Sequence, residues 1–243
     1  MAGNDSLGMT GIMQKLAPNI WIVEGELVNF HGFPYLTRCV IVRLENSDLW
    51  CWSPIALTPA LQAAIEEIGQ PKHLVSPNKI HHLYLQNWLA AWPEAKLWGP
   101  ASTIKKRSDL SFEAPLENIA PAVWGGEIDL IWFNGSPVMD EIVFFHRASK
   151  TAILADLSEN FSDEFIREHW KGWKGWIAKP WGITEGKGYA PLEWRLSFIK
   201  RKATRAARDR MLAWNPARVV MAHGEIQREG GQMFLKQAFA WLS

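Results

Sequence analysis

Four side chains of this sequence could bind a metal ion, and each stands near the end of an apolar run typical of a β-strand. Two are the adjacent histidines His81 and His82, in the stretch "SPNKIHHLYLQNW". The others are Asp156, in "TAILADL", and His223, in "ARVVMAHGE". Imidazole nitrogens and carboxylate oxygens suit zinc, iron or manganese, and α/β frameworks assemble metal sites from the ends of separate strands. These four residues are therefore predicted metal ligands.

The first half of the chain must position the paired histidines. Runs rich in branched and aromatic residues predict strands at residues 19–27, 35–44, 48–53, 71–77 and 95–100. Thr58 as N-cap, Pro59 at the first helical position and Gly69 as a stop predict one helix, and a second is predicted over residues 81–93. Strand–helix–strand units with short joints predict parallel neighbours, and their strand-to-helix loops usually carry sites.

The second half repeats this succession and must position Asp156 and His223. Strands are predicted at residues 127–133, 141–145, 151–157 and 217–225, and helices at 162–173, 191–214 and 230–242. We predict an α+β fold, a four-layer αββα sandwich with two mixed sheets face to face and helices outside. Residues 1–243 are expected to form a single domain, with residues 1–15 as a loose N-terminal arm and residues 174–189 as a Trp- and Gly-rich connector or lid.

The composition gives no reason to expect a polyanionic partner. Lys and Arg number 26 against 25 Asp and Glu, for a formal charge of +1, and no nucleic-acid docking motif occurs. The N-terminal segment lacks the pattern of a signal peptide and no run of about 18 apolar residues occurs, so we expect a soluble cytoplasmic protein. Cys39 and Cys51 are too few for a disulfide framework and lack metal spacing, which predicts two free, buried thiols.

The sequence resembles the metallo-β-lactamase-fold superfamily of metal-dependent hydrolases and oxidoreductases, and more narrowly an uncharacterised branch known only as a domain of unknown function. The segments that carry the resemblance are "LVSPNKIHHLYLQNWLAAWPEAKLWGP", "EIVFFHRASKTAILADL" and "ARVVMAHGE". They are spaced as that fold spaces its first metal loop, its bridging aspartate and its last histidine. The resemblance extends over about residues 16–242, and it implies that Asp156 matches the bridging aspartate and His223 the last histidine.

The first metal loop departs from the superfamily pattern. That loop reads His-x-His-x-Asp-His, and its positions here are Pro77, Lys79, His81 and His82. Both histidine ligands of the first metal site are therefore replaced, and no histidine stands near residues 134–136, where the superfamily places its middle one. The resemblance then implies at most one divalent metal, zinc first, with iron or manganese as alternatives.

Three interpretations of this set stay open. In the first, the protein is a hydrolase of a small substrate, which in one version is anionic. One metal is held by His82, Asp156 and His223, with His81 next, and the catalytic residues are Lys79 and Asp156. In the second, the Lys79 ammonium replaces the lost metal and the protein only binds a ligand or partner. In the third, these polar residues bond only to one another and to the backbone. We favour the first, because ionisable side chains kept at separate strand ends would otherwise carry an uncompensated desolvation cost.

Further segments point to partners or supporting roles. The aromatic and basic stretch Trp170–Trp181 is expected to cover the pocket as a lid, with peripheral membrane contact as the alternative. The basic segment Arg195–Arg210 is expected to be a solvated helix face, with an anionic partner as the alternative. His146 could reach the pocket rim, and Glu225 could orient the His223 imidazole.

Overall fold

The computed structural model describes residues 11–243 and places their strands in two mixed sheets. The strands are β1 (Met13–Ala17), β2 (Ile20–Phe30), β3 (Phe33–Arg43), β4 (Asp48–Trp52), β5 (Gln70–Val75), β6 (Lys96–Trp98), β7 (Ile128–Phe133), β8 (Glu141–His146), β9 (Thr151–Leu154) and β10 (Arg218–Met221). The helices are α1 (Pro59–Ile68), α2 (Leu85–Ala91), α3 (Ala101–Lys106), α4 (Asp163–His169), α5 (Trp173–Trp181), α6 (Leu192–Ser197), α7 (Arg201–Ala213) and α8 (Gly231–Ala238). Short 3-10 turns occupy Ala122–Trp124 and Ala240–Leu242.

The first sheet runs in chain order from β1 to β6. Its first four strands pair antiparallel, whereas β4, β5 and β6 pair parallel. Those parallel strands are joined through α1 and α2, as the strand–helix–strand pattern predicts. The N-cap of α1 is the predicted one, since the Thr58 hydroxyl accepts from the Leu61 amide at 3.1 Å. The loop after β5 therefore starts from the end of a buried parallel strand.

The second sheet has the order β10-β9-β8-β7. The strands β7, β8 and β9 pair antiparallel, and β10 pairs parallel with β9. Strands β9 and β10 thus run in the same direction and end at the same edge of the sheet. Asp156 follows β9 by two residues and His223 follows β10 by two, so the topology brings these two side chains to one place.

Alternate residues of the strands face different layers of the core. Trp50 and Trp52 of β4 pack with Phe144 of β8 between the two sheets. The intervening Leu49 and Cys51 pack instead against residues of α1 and α2, which are Leu61, Ile65, Leu85 and Trp88. On the other side, β8 residues pack against Trp194 of α6, Met211 of α7 and Leu235 of α8. Three stacked cores require four layers, which confirms the predicted αββα sandwich.

The structure differs from the sequence prediction at several segments. Residues 1–10 of the expected N-terminal arm lie outside the described residues, but Met13–Ala17 is a strand that pairs with β2. The helix predicted over residues 191–214 is two helices, α6 and α7. Part of the 174–189 connector is helical, since α5 extends to Trp181. Cys39 and Cys51 are free and buried, as predicted.

The Trp-rich segment is divided between buried and exposed side chains. Trp170 is buried, and its indole nitrogen donates to the Pro34 carbonyl at 3.0 Å. Trp173 and Trp176 are exposed. Contact of these exposed rings with a membrane surface stays the alternative to the expected lid. Within residues 11–243, none of the helices combines the length and the apolar content that crossing a bilayer requires.

Two buried histidines are expected to make the fold sensitive to acid. Burial lowers the pKa of His73 and of His146 to about 4. Unfolded histidine titrates near pH 6.5, so between these values the unfolded state binds more protons and the free energy of unfolding falls as the pH falls. We expect each residue to contribute a loss of roughly 2–3 kcal/mol between pH 6.5 and 4.

Urea unfolding at the two ends of this range measures the loss. In His146→Gln, which keeps a polar group beside Ser149, the pH-dependent loss should be smaller than in the wild type. The same substitution at the exposed His31 serves as the control and should leave the loss unchanged. An equal loss in His146→Gln and the wild type would contradict the prediction.

Candidate metal centre

Three of the four predicted ligands meet at one point. The His81 Nε2 lies 3.2 Å from Oδ2 of Asp156, and the His223 Nε2 lies 3.3 Å from Oδ1 of the same carboxylate. One ligand atom from each residue lies within 4.8 Å of the others. Asp156 and His223 are buried, and His81 is partly exposed. Two imidazoles and one carboxylate are a donor set for a divalent metal, and three protein ligands leave a coordination position for a fourth group.

Both imidazoles are oriented by hydrogen bonds on their far side. The Nδ1 of His223 lies 2.8 Å from the Leu36 carbonyl, which can only accept, so this nitrogen carries the hydrogen. In the neutral ring the Nε2 lone pair then faces Asp156. The Nδ1 of His81 lies 2.8 Å from the Ser53 hydroxyl. Ser53 directly follows β4 and has a φ of 49°, a left-handed backbone that is uncommon outside glycine and clusters at functional sites.

Asp156 is fixed by a buried carboxyl group that the sequence analysis did not identify. One oxygen of Glu141 accepts from the Ala155 amide at 2.8 Å, and the other accepts from the amides of Asp156 at 2.8 Å and Leu157 at 3.3 Å. The Asn78 side-chain amide donates to Oδ2 of Asp156 at 2.7 Å and to Glu141 at 3.2 Å. The only sequence signal for Glu141 is a charged residue that opens the apolar run "EIVFF".

The charges of this group favour an ionised Asp156. Burial acts to raise the pKa of Asp156, but His81 and His223 outweigh burial and lower it below the ordinary value. Burial, and then the charge of Asp156, raises the pKa of Glu141 to about 8. The aspartate nearest the two imidazoles therefore keeps its negative charge, which a cation at this point would neutralise.

His82 does not belong to the three-residue group, which corrects its place as a leading ligand. Its Nδ1 is buried without a hydrogen-bond partner among residues 11–243. Burial lowers the pKa of His82, and the cations Lys106 and Arg107 add to that effect. Adjacent residues in a turn point in different directions, so only one of the two histidines reaches Asp156. That histidine is His81.

The other predicted residues lie around this group. The Lys79 ammonium lines the cavity described below and donates to the Val138 carbonyl. His146 is buried in the β8–β9 hairpin, where its Nδ1 bonds to Ser149, so the prediction that it reaches the pocket rim is wrong. Glu225 does not orient His223, because the Leu36 carbonyl takes the Nδ1 of that ring.

The three-residue group opens into a cavity of about 930 Å³. Its walls are mainly apolar and aromatic, and they include Phe30, Phe33, Tyr35, Tyr84, Trp181 and Trp194. Charged lining residues besides Asp156 are Lys79, Lys106, Glu159 and Glu193. A cavity of this size and composition is typical of a small-molecule site.

The sequence matches a family model described as "Domain of unknown function (DUF4336)" over residues 19–166. The chain belongs to the DUF4336 family. The matched segment of this DUF4336 chain contains His81 and Asp156, whereas His223 lies beyond it. No curated protein matches the sequence significantly.

Solved structures show where the DUF4336 chain stands among known folds. The DIM-1 metallo-β-lactamase aligns with a TM-score of 0.62 at 15% identity, covering 95% of each chain. The FIM-1 metallo-β-lactamase from Pseudomonas aeruginosa, in its mono-zinc form, aligns with a TM-score of 0.61 at 10% identity over 95% of this chain and 93% of its own. The Flv1 flavodiiron core from Synechocystis sp. PCC6803 aligns with a TM-score of 0.61 at 12% identity, over 95% of this chain and 60% of its own. The DUF4336 chain thus has the metallo-β-lactamase fold, as the resemblance implies.

Proposed function

We propose that the protein is a metal-dependent hydrolase that binds one divalent metal ion through His81, Asp156 and His223. The observation that carries the proposal is the convergence of these three donors within 4.8 Å, at the floor of a cavity large enough for a small molecule. Two imidazoles and a carboxylate fit zinc best, since catalytic zinc sites use three such ligands and leave one position open. FIM-1, which shares the fold, is described in a mono-zinc form.

A bound metal would supply an activated water and polarise the bond to be cleaved. The chain's own residues have separate tasks. Leu36 and Ser53 keep the two imidazoles turned toward Asp156. Glu141 and Asn78 hold the Asp156 carboxylate in place. Lys79 lines the same cavity and would position an anionic group of the substrate or the charge that develops in the transition state.

The alternative is a binding protein without turnover. It is supported by the contacts of His81 and His223 with Asp156, at 3.2 and 3.3 Å, which with both imidazoles protonated pair the carboxylate without a metal ion. It is also supported by the loss of both first-site histidines at Pro77 and Lys79. Under this alternative the cavity binds a small ligand and cleaves nothing.

The paired histidines give a direct test of the metal site. Protein purified without chelator or nickel resin is expected to bind about one equivalent of zinc, measured by equilibrium dialysis and elemental analysis. His81→Ala removes a ligand and should weaken binding roughly 100-fold or more. The adjacent His82→Ala is the matched control and should keep the wild-type affinity. Wild-type protein that binds no zinc, or equal losses in the two variants, would refute the assignment.

Turnover is tested on the same samples. The zinc-loaded wild type is assayed against a panel of ester, thioester, amide, lactam and phosphodiester substrates. We expect cleavage of at least one class by the wild type and by His82→Ala, and none by His81→Ala. Zinc binding without cleavage of any class would favour the binding protein.

A further inference from the structure

A second part of the cavity wall has no task in metal binding. Glu159 and Tyr35 both line the cavity and are buried, with exposed fractions of 1% and 8%. Among residues 11–243, no hydrogen bond reaches the Glu159 carboxyl group or the Tyr35 hydroxyl group, and Oε2 of Glu159 is fully buried without a partner. Unpaired buried polar groups are rare and cost about 1–3 kcal/mol each. Oε2 of Glu159 is such a group, and together with the unbonded Tyr35 hydroxyl on the same cavity wall it points to a ligand that supplies the missing contacts.

The backbone holds both residues in this position. The Glu159 amide donates to the Tyr189 carbonyl at 3.2 Å, and the next amide, of Asn160, donates to the His223 carbonyl at 3.3 Å. The Tyr35 ring packs edge-on against His223 at 4.8 Å between centroids and against Phe161 at 5.5 Å. The backbone at Glu159 and the ring of Tyr35 are thus both held close to the segment that carries His223.

The carboxyl groups around Glu159 favour a cation as the missing partner. Burial raises the pKa of Glu159 well above its usual range, and the nearby carboxylates of Asp156, Glu193 and Glu141 raise it further. The side chain therefore favours its neutral form when no cation is near, and a bound cation would favour its ionised form. Within the described part of the chain, Glu159 forms no ion pair with a basic side chain. An ammonium group would neutralise this acidic wall and donate to the vacant acceptors.

An organic cation fits this wall better than a metal ion does. Glu159 and Glu193 do not join the compact group of ligand atoms made by His81, Asp156 and His223 in residues 11–243. Aromatic rings border the acidic side chains, since Tyr35, Trp181 and Trp194 line the same cavity. Ring faces attract ammonium groups as well as packing against alkyl chains.

We propose that Glu159, with Glu193 and Tyr35, binds the ammonium group of the substrate. The substrate class is then an amine-bearing ester or amide whose cleaved bond reaches the metal group from this wall. That class rests on the proposed hydrolase function, whereas the ammonium subsite can be tested without metal or turnover. Lys79 and Lys106 line the same cavity and would face an anionic part of the same molecule.

The probe is n-hexylammonium, compared with neutral n-hexanol of equal chain length, titrated into the full-length protein and followed by calorimetry. The wild type is expected to bind n-hexylammonium at least about tenfold more tightly than n-hexanol, because a hydrogen bond to a charged group supplies a difference of this size. Glu159→Gln keeps the shape, removes the charge, and should abolish this preference. Glu164→Gln, at an exposed glutamate of α4, is the matched control and should keep it.

The variant His81→Ala distinguishes the metal site from this subsite. It should lose zinc binding and keep the preference for the ammonium probe. Circular dichroism of each variant confirms that it is folded. Equal affinities of the wild type for the two probes would overturn the proposal, and so would a Glu159→Gln variant that keeps the preference. Neither result depends on whether zinc binds.

Discussion

Gly224→Ala is expected to lower the free energy of unfolding by about 3–5 kcal/mol. Gly224 adopts a φ of +86°, which side chains of L-residues rarely adopt. A Cβ placed there would lie 2.3 Å from the carbonyl carbon and oxygen of Asn160, which are main-chain atoms and cannot rotate away. Because Gly224 directly follows His223, the backbone shift that relieves this clash also moves a predicted ligand, and zinc affinity should fall with stability.

Chemical denaturation of wild type and variant measures the loss, and zinc dialysis measures the affinity. Gly230→Ala is the matched control, since Gly230 has a φ of +65° and open space around the added Cβ. It should cost only the left-handed backbone penalty of about 1–2 kcal/mol. Similar losses in the two variants would show that the contact with Asn160 is not tight.

Arg38→Met is expected to destabilise the fold by about 3–5 kcal/mol, because it leaves a largely buried carboxylate without its cation. Arg38 is only 5% exposed and pairs with Glu24, with a nitrogen–oxygen distance of 2.7 Å. The same guanidinium donates to the carbonyls of Met221 and, at 2.9 Å, Gly224. It therefore ties β3 of the first sheet to both ends of the turn that carries His223, across the sandwich.

The same strand provides the control for this variant. Arg43 is exposed at the end of β3, and Arg43→Met should change the stability by about 0.5 kcal/mol or less. Arg38→Met combined with Glu24→Leu removes both charges and should recover part of the loss, and this pair of variants remains measurable if the single one does not fold. A loss in Arg38→Met no larger than in Arg43→Met would contradict the assigned role.

The layers of the fold could be predicted because they depend on the alternation of side chains along strands and on helix caps. Trp50 and Trp52 face one core and Leu49 and Cys51 the other, which is the period-2 signal of a strand buried on both faces. The break between α6 and α7 gave no such signal. The Lys200 amide there bonds to the Gly135 carbonyl at 3.0 Å, a contact with a residue distant in sequence. No glycine or proline marks that break.

The site could be predicted only in part. The proximity of Asp156 and His223 could be predicted because both follow apolar strands, and parallel pairing of β9 with β10 brings them together. The choice between His81 and His82 depends on the direction of one side chain in a turn, which spacing does not specify. Glu141 could not be found, because its function consists of bonds to three main-chain amides that become neighbours only in the folded chain.

The contacts of Glu141 fix the position of residue 156 without depending on its side chain. The Glu141 carboxylate accepts hydrogen bonds from the backbone N–H groups of residues 155–157, which every amino acid except proline provides. Another residue type at position 156 would therefore be presented to the two imidazoles from the same point in space. At the proposed metal site, exchange of the donor atom at this position from oxygen to sulfur or nitrogen would then alter the preferred ion without rebuilding the surrounding loop.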